Sequence, residues 1–214
     1  VYTGSDGTFS VRGIVEENFQ VTAIKGSYAS APAQAFLDAC PFALSDTLRL
    51  LEPAFSIALE WGELPSDLDS HLLIPATWDP EQETYELYFG TDGSLTEDPY
   101  TELDTDDTDS FGPEIISGFR FYQGTYTYFV HNWSGNAAHP LYQSGAEVTL
   151  EIAGETRVYQ VSTASGPQDA EYWHVFDFTY GGAGNVTITD VNALQLEDPA
   201  FTEKGLEREL PAKR

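Results

Sequence analysis

Apolar side chains alternate with polar ones along most of this chain, and this two-residue period constrains the fold more than any other feature. Phe55, Ile57 and Leu59 show it clearly. Further alternating segments lie at 19–23, 85–89, 125–130, 147–152, 156–161, 173–178 and 186–191. Gly, Pro, Asn and Asp separate the segments, which is typical of antiparallel strands joined by turns. We therefore predict an all-β protein, with short helices only at 33–39 and 201–210.

The charge of the chain restricts its partners. The sequence has 35 acidic and 9 basic residues, a net charge of −26. Such a surface repels nucleic acid and anionic lipid, which bind through a surplus of Lys and Arg. Eighteen acidic residues and no basic one lie between Arg49 and Arg120. This uneven distribution favours local cation binding over a general role in solubility, although solvation at high salt stays an alternative.

Two further absences concern where the protein resides. No apolar stretch reaches the roughly 18 to 20 residues that cross a bilayer, so we expect no membrane span. The sequence contains no methionine, even at position 1. We therefore expect a mature secreted product whose leader has been removed, or a fragment of a longer chain.

Asp67, Asp69 and His71 form the first candidate site. Their spacing of two residues places all three on one face of a strand, with Leu68 and Leu72 on the other. Carboxylates and an imidazole on one face favour a bound cation, which would organise them. A polar strand face turned to solvent is the alternative explanation.

A second acidic segment supplies more oxygen ligands. It contains Asp104, Asp106, Asp107, Asp109 and Glu114 in a stretch predicted to be rich in turns. Ca²⁺ takes six to eight oxygen ligands, so we predict that it binds both segments, although the spacing is not that of an EF-hand. A solvated acidic loop is the alternative.

Histidine leaves the identity of the metal open. His71 with Asp69 and His131 would suit Zn²⁺ or Mn²⁺ instead of Ca²⁺. His131 could equally hydrogen-bond a turn. His174 alternates with Tyr172, Phe176 and other aromatic residues, so we expect it to be a core histidine with a satisfied hydrogen bond rather than a ligand.

Four ordered motifs within residues 54–197 resemble the bacterial YfaP-like family. They are Leu59-Glu60-Trp61-Gly62 with Ser66–Leu72, Leu103–Thr108 with Phe111-Gly112-Pro113-Glu114, Gly124-Thr125-Tyr126 with Tyr128–Asn132, and Trp173-His174-Val175-Phe176. The resemblance implies an Ig-like β-sandwich and an envelope or extracellular address. It implies no established catalytic activity.

Residues 1–53 resemble the second half of a carboxypeptidase regulatory-like domain, a small transthyretin-like sandwich. The matching residues are Ser5–Ser10, Phe19–Ala23 and Gly26–Ala29. That family begins with further strands that this segment lacks, so we predict antiparallel Ig-like β-sandwich modules in tandem, the first one incomplete. An open sheet edge invites pairing with another chain, and truncation of the chain is the alternative explanation for the missing strands. Residues 198–214 are predicted to be a tail or linker.

These observations favour assembly or binding over catalysis. The sequence contains no nucleophile elbow, phosphate loop, dinucleotide fingerprint or zinc-protease helix. We predict an extracellular structural protein, a cation-stabilised subunit of a surface fibre that donates β-strands between neighbouring copies. A glycan-binding or partner-binding surface module is the alternative, because the aromatic residues at 122–133 could stack on sugars. A metal-dependent hydrolase is the third hypothesis.

Overall fold

A computed structural model gives the backbone and side chains of residues 53–135 and 138–200, and the backbone of five strands nearer the N terminus. The chain divides into two compact units, Val1–Leu51 and Glu52–Arg214. The assignment of residues to specific modules stays a prediction. It places a partial regulatory-like module at 1–53, a YfaP-like module at 54–197 and a tail at 198–214. The helix predicted at 201–210 lies outside the described residues.

The first unit contains short antiparallel strands. They are β1 (Asn18–Val21), β2 (Ile24–Lys25), β3 (Tyr28–Ser30), β4 (Ala33–Phe36) and β5 (Leu50–Leu51). Strand β1 pairs with β4, and β3 pairs with β2 and β5. The helix predicted at 33–39 is therefore wrong, because the backbone of β4 pairs across to β1 instead of within its own segment. The prediction that this unit is incomplete depends on residues outside those described, so it stays a prediction.

The second unit contains two antiparallel sheets. One has six strands in the order β14-β13-β6-β11-β10-β9, and the other has five in the order β16-β15-β12-β7-β8. The six are β14 (Glu155–Gln160), β13 (Glu147–Ile152), β6 (Phe55–Glu60), β11 (Glu114–Gly118), β10 (Thr101–Leu103) and β9 (Gly93–Ser94). The five are β16 (Val186–Gln195), β15 (Tyr172–Tyr180), β12 (Gly124–His131), β7 (Asp69–Pro75) and β8 (Thr84–Leu87). Two short 3₁₀ turns lie at Leu141–Gln143 and Val161–Thr163.

The alternating segments explain why these strands form. The alternate apolar positions of β6 and β13 point to a shared core, where Phe55, Ile57 and Leu150 are at most 1% exposed. Phe178 on the other sheet lies 5.2 Å from Phe55 between ring centroids, so the two sheets pack on one apolar core. The prediction of an all-β, antiparallel protein is confirmed. Truncating a core aromatic such as Phe178 would cost about 3–5 kcal/mol.

One face of the five-stranded sheet points away from that core. In β12 the side chains of Tyr126, Tyr128 and Val130 belong to the core, whereas Phe129 is fully buried but lies outside it. A bulge between Tyr128 and Phe129 shifts the register between β12 and β15. The extra residue of this bulge lies on β15, so side chains still alternate along β12. Phe129 and His131 therefore face outward from the sandwich core and are covered by other side chains.

Candidate functional site

Strands β7 and β12 are neighbours, and their register brings three predicted ligands together. Asp69 lies opposite His131, and His71 lies opposite Phe129. Because side chains alternate along a strand, Asp69, His71 and His131 share the outer face of the sheet. One potential ligand atom from each residue lies within 4.8 Å of the others.

This group is buried. Asp69 and His71 are each 1% exposed and His131 is 7% exposed. The Nδ1 atom of His131 lies 3.6 Å from Oδ2 of Asp69. An ionised carboxylate at this depth is stable only when positive charge or hydrogen-bond donors compensate for its lost hydration. Burial at this site therefore makes Asp69 a residue whose charge must be matched by neighbouring donors or positive charge, which a metal ion could supply.

A second group overlaps the first and consists of oxygen ligands alone. Asp67, Asp69 and Asp106 each place a carboxylate oxygen within 4.8 Å of the others. Asp67 is 8% exposed and precedes β7, so the expectation that it shares a strand with Asp69 is wrong. Its position in the loop still brings it to the same cluster. Asp69 is common to both groups.

The loop that carries Asp106 is tied to the loop before β7 by hydrogen bonds. Ser110 donates its N–H to the Ser66 carbonyl at 2.9 Å and its hydroxyl to the Glu63 carbonyl at 2.8 Å. Phe111 and Gly62 are joined by a further N–H to carbonyl bond of 3.2 Å. These bonds explain how residues far apart in sequence reach one site.

Glu114 joins the second loop to β7 through its carboxylate. It accepts the N–H of Ser70 at 2.7 Å and the N–H of Asp107 at 3.3 Å. The residue is 1% exposed and is the first residue of β11, not part of the predicted turn-rich stretch. Its oxygens position backbone amides, and it belongs to neither group of ligand atoms among the described residues.

Asp104 and Asp107 also shape the acidic loop rather than join either group. Oδ1 of Asp104 accepts the Ile115 N–H at 2.9 Å, and Oδ1 of Asp107 accepts the Asp109 N–H at 2.9 Å. Burial raises the pKa of the Asp104 carboxyl, and backbone hydrogen bonds, including that from Ile115, partly offset the rise. The structure thus brings together five of the eight predicted ligands: Asp67, Asp69, His71, Asp106 and His131.

Aromatic rings enclose both histidines. His71 stacks between Tyr88 and Phe129, with ring centroids at 5.3 and 4.7 Å. His131 stacks on Tyr172 at 4.6 Å. Burial, with the charges of Asp198 and Glu171, raises the pKa of Tyr172 to about 12, so this ring stays neutral near pH 7. The aromatic cover restricts the orientation of both imidazoles and shields them from bulk solvent.

Glu86 is a member of the site that the sequence analysis missed. Its Oε1 lies 2.8 Å from Nδ1 of His71, and its side chain is 14% exposed. The alternation at 85–89 places Glu86 on the face opposite Tyr85 and Leu87. Only the pairing of β8 with β7, in which Glu86 lies opposite Leu73, brings that face to His71.

His174 has the satisfied hydrogen bond that we predicted, but the prediction that it is a core residue is wrong, because it is 15% exposed and lies outside the apolar core. Its Nε2 lies 2.8 Å from Oδ1 of Asp177, three residues further along β15. Neither residue belongs to a group of three potential ligands among the described residues.

The sequence matches no protein-family model and no curated protein. Two crystal structures are similar to the chain, each at 16% identity over 68% of this chain and 91% of the other. One is a protein of unknown function, with a TM-score of 0.49. The other is a homologue of the telluride resistance protein TerD from Streptomyces coelicolor A3(2), with a TM-score of 0.50, and that likeness shows the fold alone. Within the part of the chain that the structure describes, no helix is long and apolar enough to cross a membrane.

Proposed function

We propose that the second unit is a non-catalytic module that binds a divalent cation on the outer face of its five-stranded sheet. The observation that carries the proposal is the overlap of two groups of ligand atoms at Asp69, one with His71 and His131 and the other with Asp67 and Asp106. A cation there would compensate the buried carboxylate charge. It would also hold β7 and β12 to the acidic loop.

The two groups suit different metals. The three carboxylates of Asp67, Asp69 and Asp106 offer the hard oxygen ligands that Ca²⁺ prefers. The imidazoles of His71 and His131 offer nitrogen ligands that suit Zn²⁺ or Mn²⁺. Both classes of metal belong to the test.

The wider role is part of the same proposal. We place the chain on the cell surface or outside the cell, as tandem Ig-like modules that associate with neighbouring copies. The division into two compact units supports this role, and a bound cation would reduce the repulsion between strongly acidic copies. The cation would then stabilise the module against unfolding, rather than act on a substrate.

Calorimetric titration of the metal-stripped full chain with Ca²⁺, Zn²⁺ and Mn²⁺ tests the proposed binding. We expect at least one of these ions to bind the wild type, and Asp69→Asn to weaken binding by at least ~100-fold, since loss of a direct ligand should exceed the 10- to 100-fold typical of an outer-shell partner. Asp177→Asn is the matched control, because it removes a carboxylate paired with His174 outside the site. The proposal fails if the wild type binds none of the three ions.

Sedimentation velocity of the full chain tests assembly separately. We expect larger species with rising protein concentration in the presence of the bound cation, and fewer of them after chelation. A single monomeric species under all cation and salt conditions would contradict assembly and leave cation binding intact.

A cleft beside the C-terminal end of β12 favours glycan binding as a second candidate function. Its volume is about 330 Å³, in the range of small-molecule sites. Tyr142 and Pro140 give it apolar wall, whereas Asn132, Gln168 and Glu171 give it hydrogen-bonding groups. That mixture suits a sugar, which has an apolar ring face and several hydroxyls. A glycan array tests this candidate. If the wild type binds no glycan more strongly than Tyr142→Ala does, glycan binding at this cleft is excluded.

A further inference from the structure

We infer that Glu86 is a positioning residue that makes the histidine side of this site selective for a transition metal of the zinc class. The inference rests on the proposed cation binding and deepens it by naming the metal. Its basis is the contact of 2.8 Å between Oε1 of Glu86 and Nδ1 of His71, beside Asp69 and His131.

The contact selects one form of the His71 ring. A neutral imidazole carries a proton on only one nitrogen, and a carboxylate accepts that proton in a hydrogen bond. With Nδ1–H donated to Glu86, Nε2 carries the lone pair that ligates a metal. Carboxylate–histidine–metal arrangements of this kind fix the ring and make the ligating nitrogen more basic.

The surroundings hold this arrangement in place. His71 is 1% exposed and lies between the rings of Tyr88 and Phe129, whose planes are inclined to it by only 11° and 17°. Glu86 is fixed from the neighbouring strand, since β8 pairs with β7. A ligand whose orientation is fixed before binding loses little entropy when the metal arrives.

The distances fit a small metal ion with nitrogen ligands. Nδ1 of His131 and Oδ2 of Asp69 are 3.6 Å apart. Ligand atoms of a tetrahedral zinc site, with bonds near 2.0–2.1 Å, lie about 3.3 Å apart. Two imidazoles and one carboxylate give three protein ligands and leave a fourth position, which Asp67 or water would occupy.

The contact between His71 and Glu86 would not strengthen the binding of Ca²⁺. Ca²⁺ takes oxygen ligands and does not depend on the orientation or basicity of an imidazole. Glu86 therefore distinguishes the two metals: a change there should alter the affinity for Zn²⁺ and leave the affinity for Ca²⁺ as it is.

The experiment measures Zn²⁺ affinity by chelator competition and Ca²⁺ affinity by calorimetry on the metal-stripped full chain. We expect Glu86→Leu to weaken Zn²⁺ binding about 10- to 100-fold without changing Ca²⁺ binding. Glu86→Gln keeps an acceptor for Nδ1–H, so it should restore part of the Zn²⁺ affinity. Asp177→Asn, which breaks the equivalent pair at His174, should change neither affinity.

Each other outcome has a defined meaning. If the wild type binds Ca²⁺ but not Zn²⁺, the inference is wrong and the proposed function stands. Equal losses of Zn²⁺ and Ca²⁺ in both Glu86 variants would show a purely structural contact and also overturn it. If Glu86→Leu does not fold, Glu86→Gln decides alone: a Zn²⁺ affinity within about 2-fold of the wild type, or an equal loss for both metals, overturns the inference.

A second readout separates positioning from general stability. Co²⁺ replaces Zn²⁺ in such sites and reports ligand geometry by its visible absorption. We expect the Co²⁺ spectrum of Glu86→Leu to differ from that of the wild type at saturating metal, whereas Asp177→Asn should reproduce the wild-type spectrum. An unchanged spectrum in Glu86→Leu would contradict a positioning role.

Discussion

Two of the histidine–carboxylate pairs on the five-stranded sheet are in close contact, and these two differ in what surrounds them. In both pairs a ring nitrogen lies 2.8 Å from a carboxylate oxygen, His71 with Glu86 and His174 with Asp177. His71 is 1% exposed, and another histidine and Asp69 are beside it. His174 is 15% exposed, and its carboxylate comes from the same strand.

The difference shows that one contact does not make a metal site. The pair at His174 joins two residues of one strand, and the two side chains satisfy each other. At His71, by contrast, β7, β8 and β12 bring Glu86, Asp69 and His131 to the same place. Convergence of separate strands, rather than the histidine itself, distinguishes the candidate site from a surface ion pair.

Chelation should give the largest effect and tests the comparison directly. Zn²⁺ present at 100 times its dissociation constant stabilises the folded state by about 2.7 kcal/mol, which removal with a chelator would abolish. In His71→Ala/His131→Ala we expect the melting temperature to be the same with and without chelator, whereas His174→Ala should still show the wild-type shift. Differential scanning calorimetry makes the measurement. If chelation still shifted the melting temperature of the double variant, His71 and His131 would not be the residues that bind the cation.

Glu114→Gln should have the next largest effect. The Glu114 carboxylate accepts N–H groups from Ser70 and Asp107 while almost fully buried, and the amide replaces one acceptor oxygen with a donor. Loss of an acceptor for a buried N–H costs about 1–3 kcal/mol. Urea unfolding of the metal-free protein should show that loss, with a matched loss below about 1 kcal/mol for the more exposed Asp177→Asn. Equal losses would contradict the difference between the two regions.

The pH dependence at Asp177 should be smaller and has a defined sign. Burial alone would raise the pKa of Asp177, but hydrogen bonds from His174 and Thr127 and the His174 charge bring it below its usual value. A carboxyl whose pKa is lowered by folding stabilises the protein above its unfolded pKa, near 3.9, and that contribution is lost as the pH falls through the folded value. Unfolding measured between pH 2 and pH 5 should therefore show a shallower loss of stability in Asp177→Asn. Curves of identical slope would contradict this.

His174→Gln should have the smallest effect. Glutamine retains a donor for Asp177 on a side chain that is partly exposed, and exposed polar pairs contribute about 0–1 kcal/mol. We expect a change of a few tenths of a kcal/mol in unfolding by urea and an unaltered affinity for every cation. A loss of cation binding in this variant would show that the two pairs belong to one site.

The sequence by itself determined the all-β class and the positions of most strands of the second unit. Strands such as β6, β13 and β15 follow from alternation, because burial of every second side chain on one core is a local property of the chain. The spacing of Asp69 and His71 likewise predicts a shared face without knowledge of any partner strand. Ala33–Phe36 is the counterexample, because no local pattern predicts that this segment is a strand paired with β1.

Only the tertiary structure decided which polar residues meet. Asp104 and Asp106 are equivalent in sequence, yet one bonds the Ile115 amide and the other joins Asp67 and Asp69. Glu86 carries no sequence signal for its contact with His71, because that contact depends on how β8 pairs with β7. Strand pairing is set by loop closure and packing over the whole unit. The set of ligands therefore depends on the register between strands, and periodicity within one strand cannot specify that register.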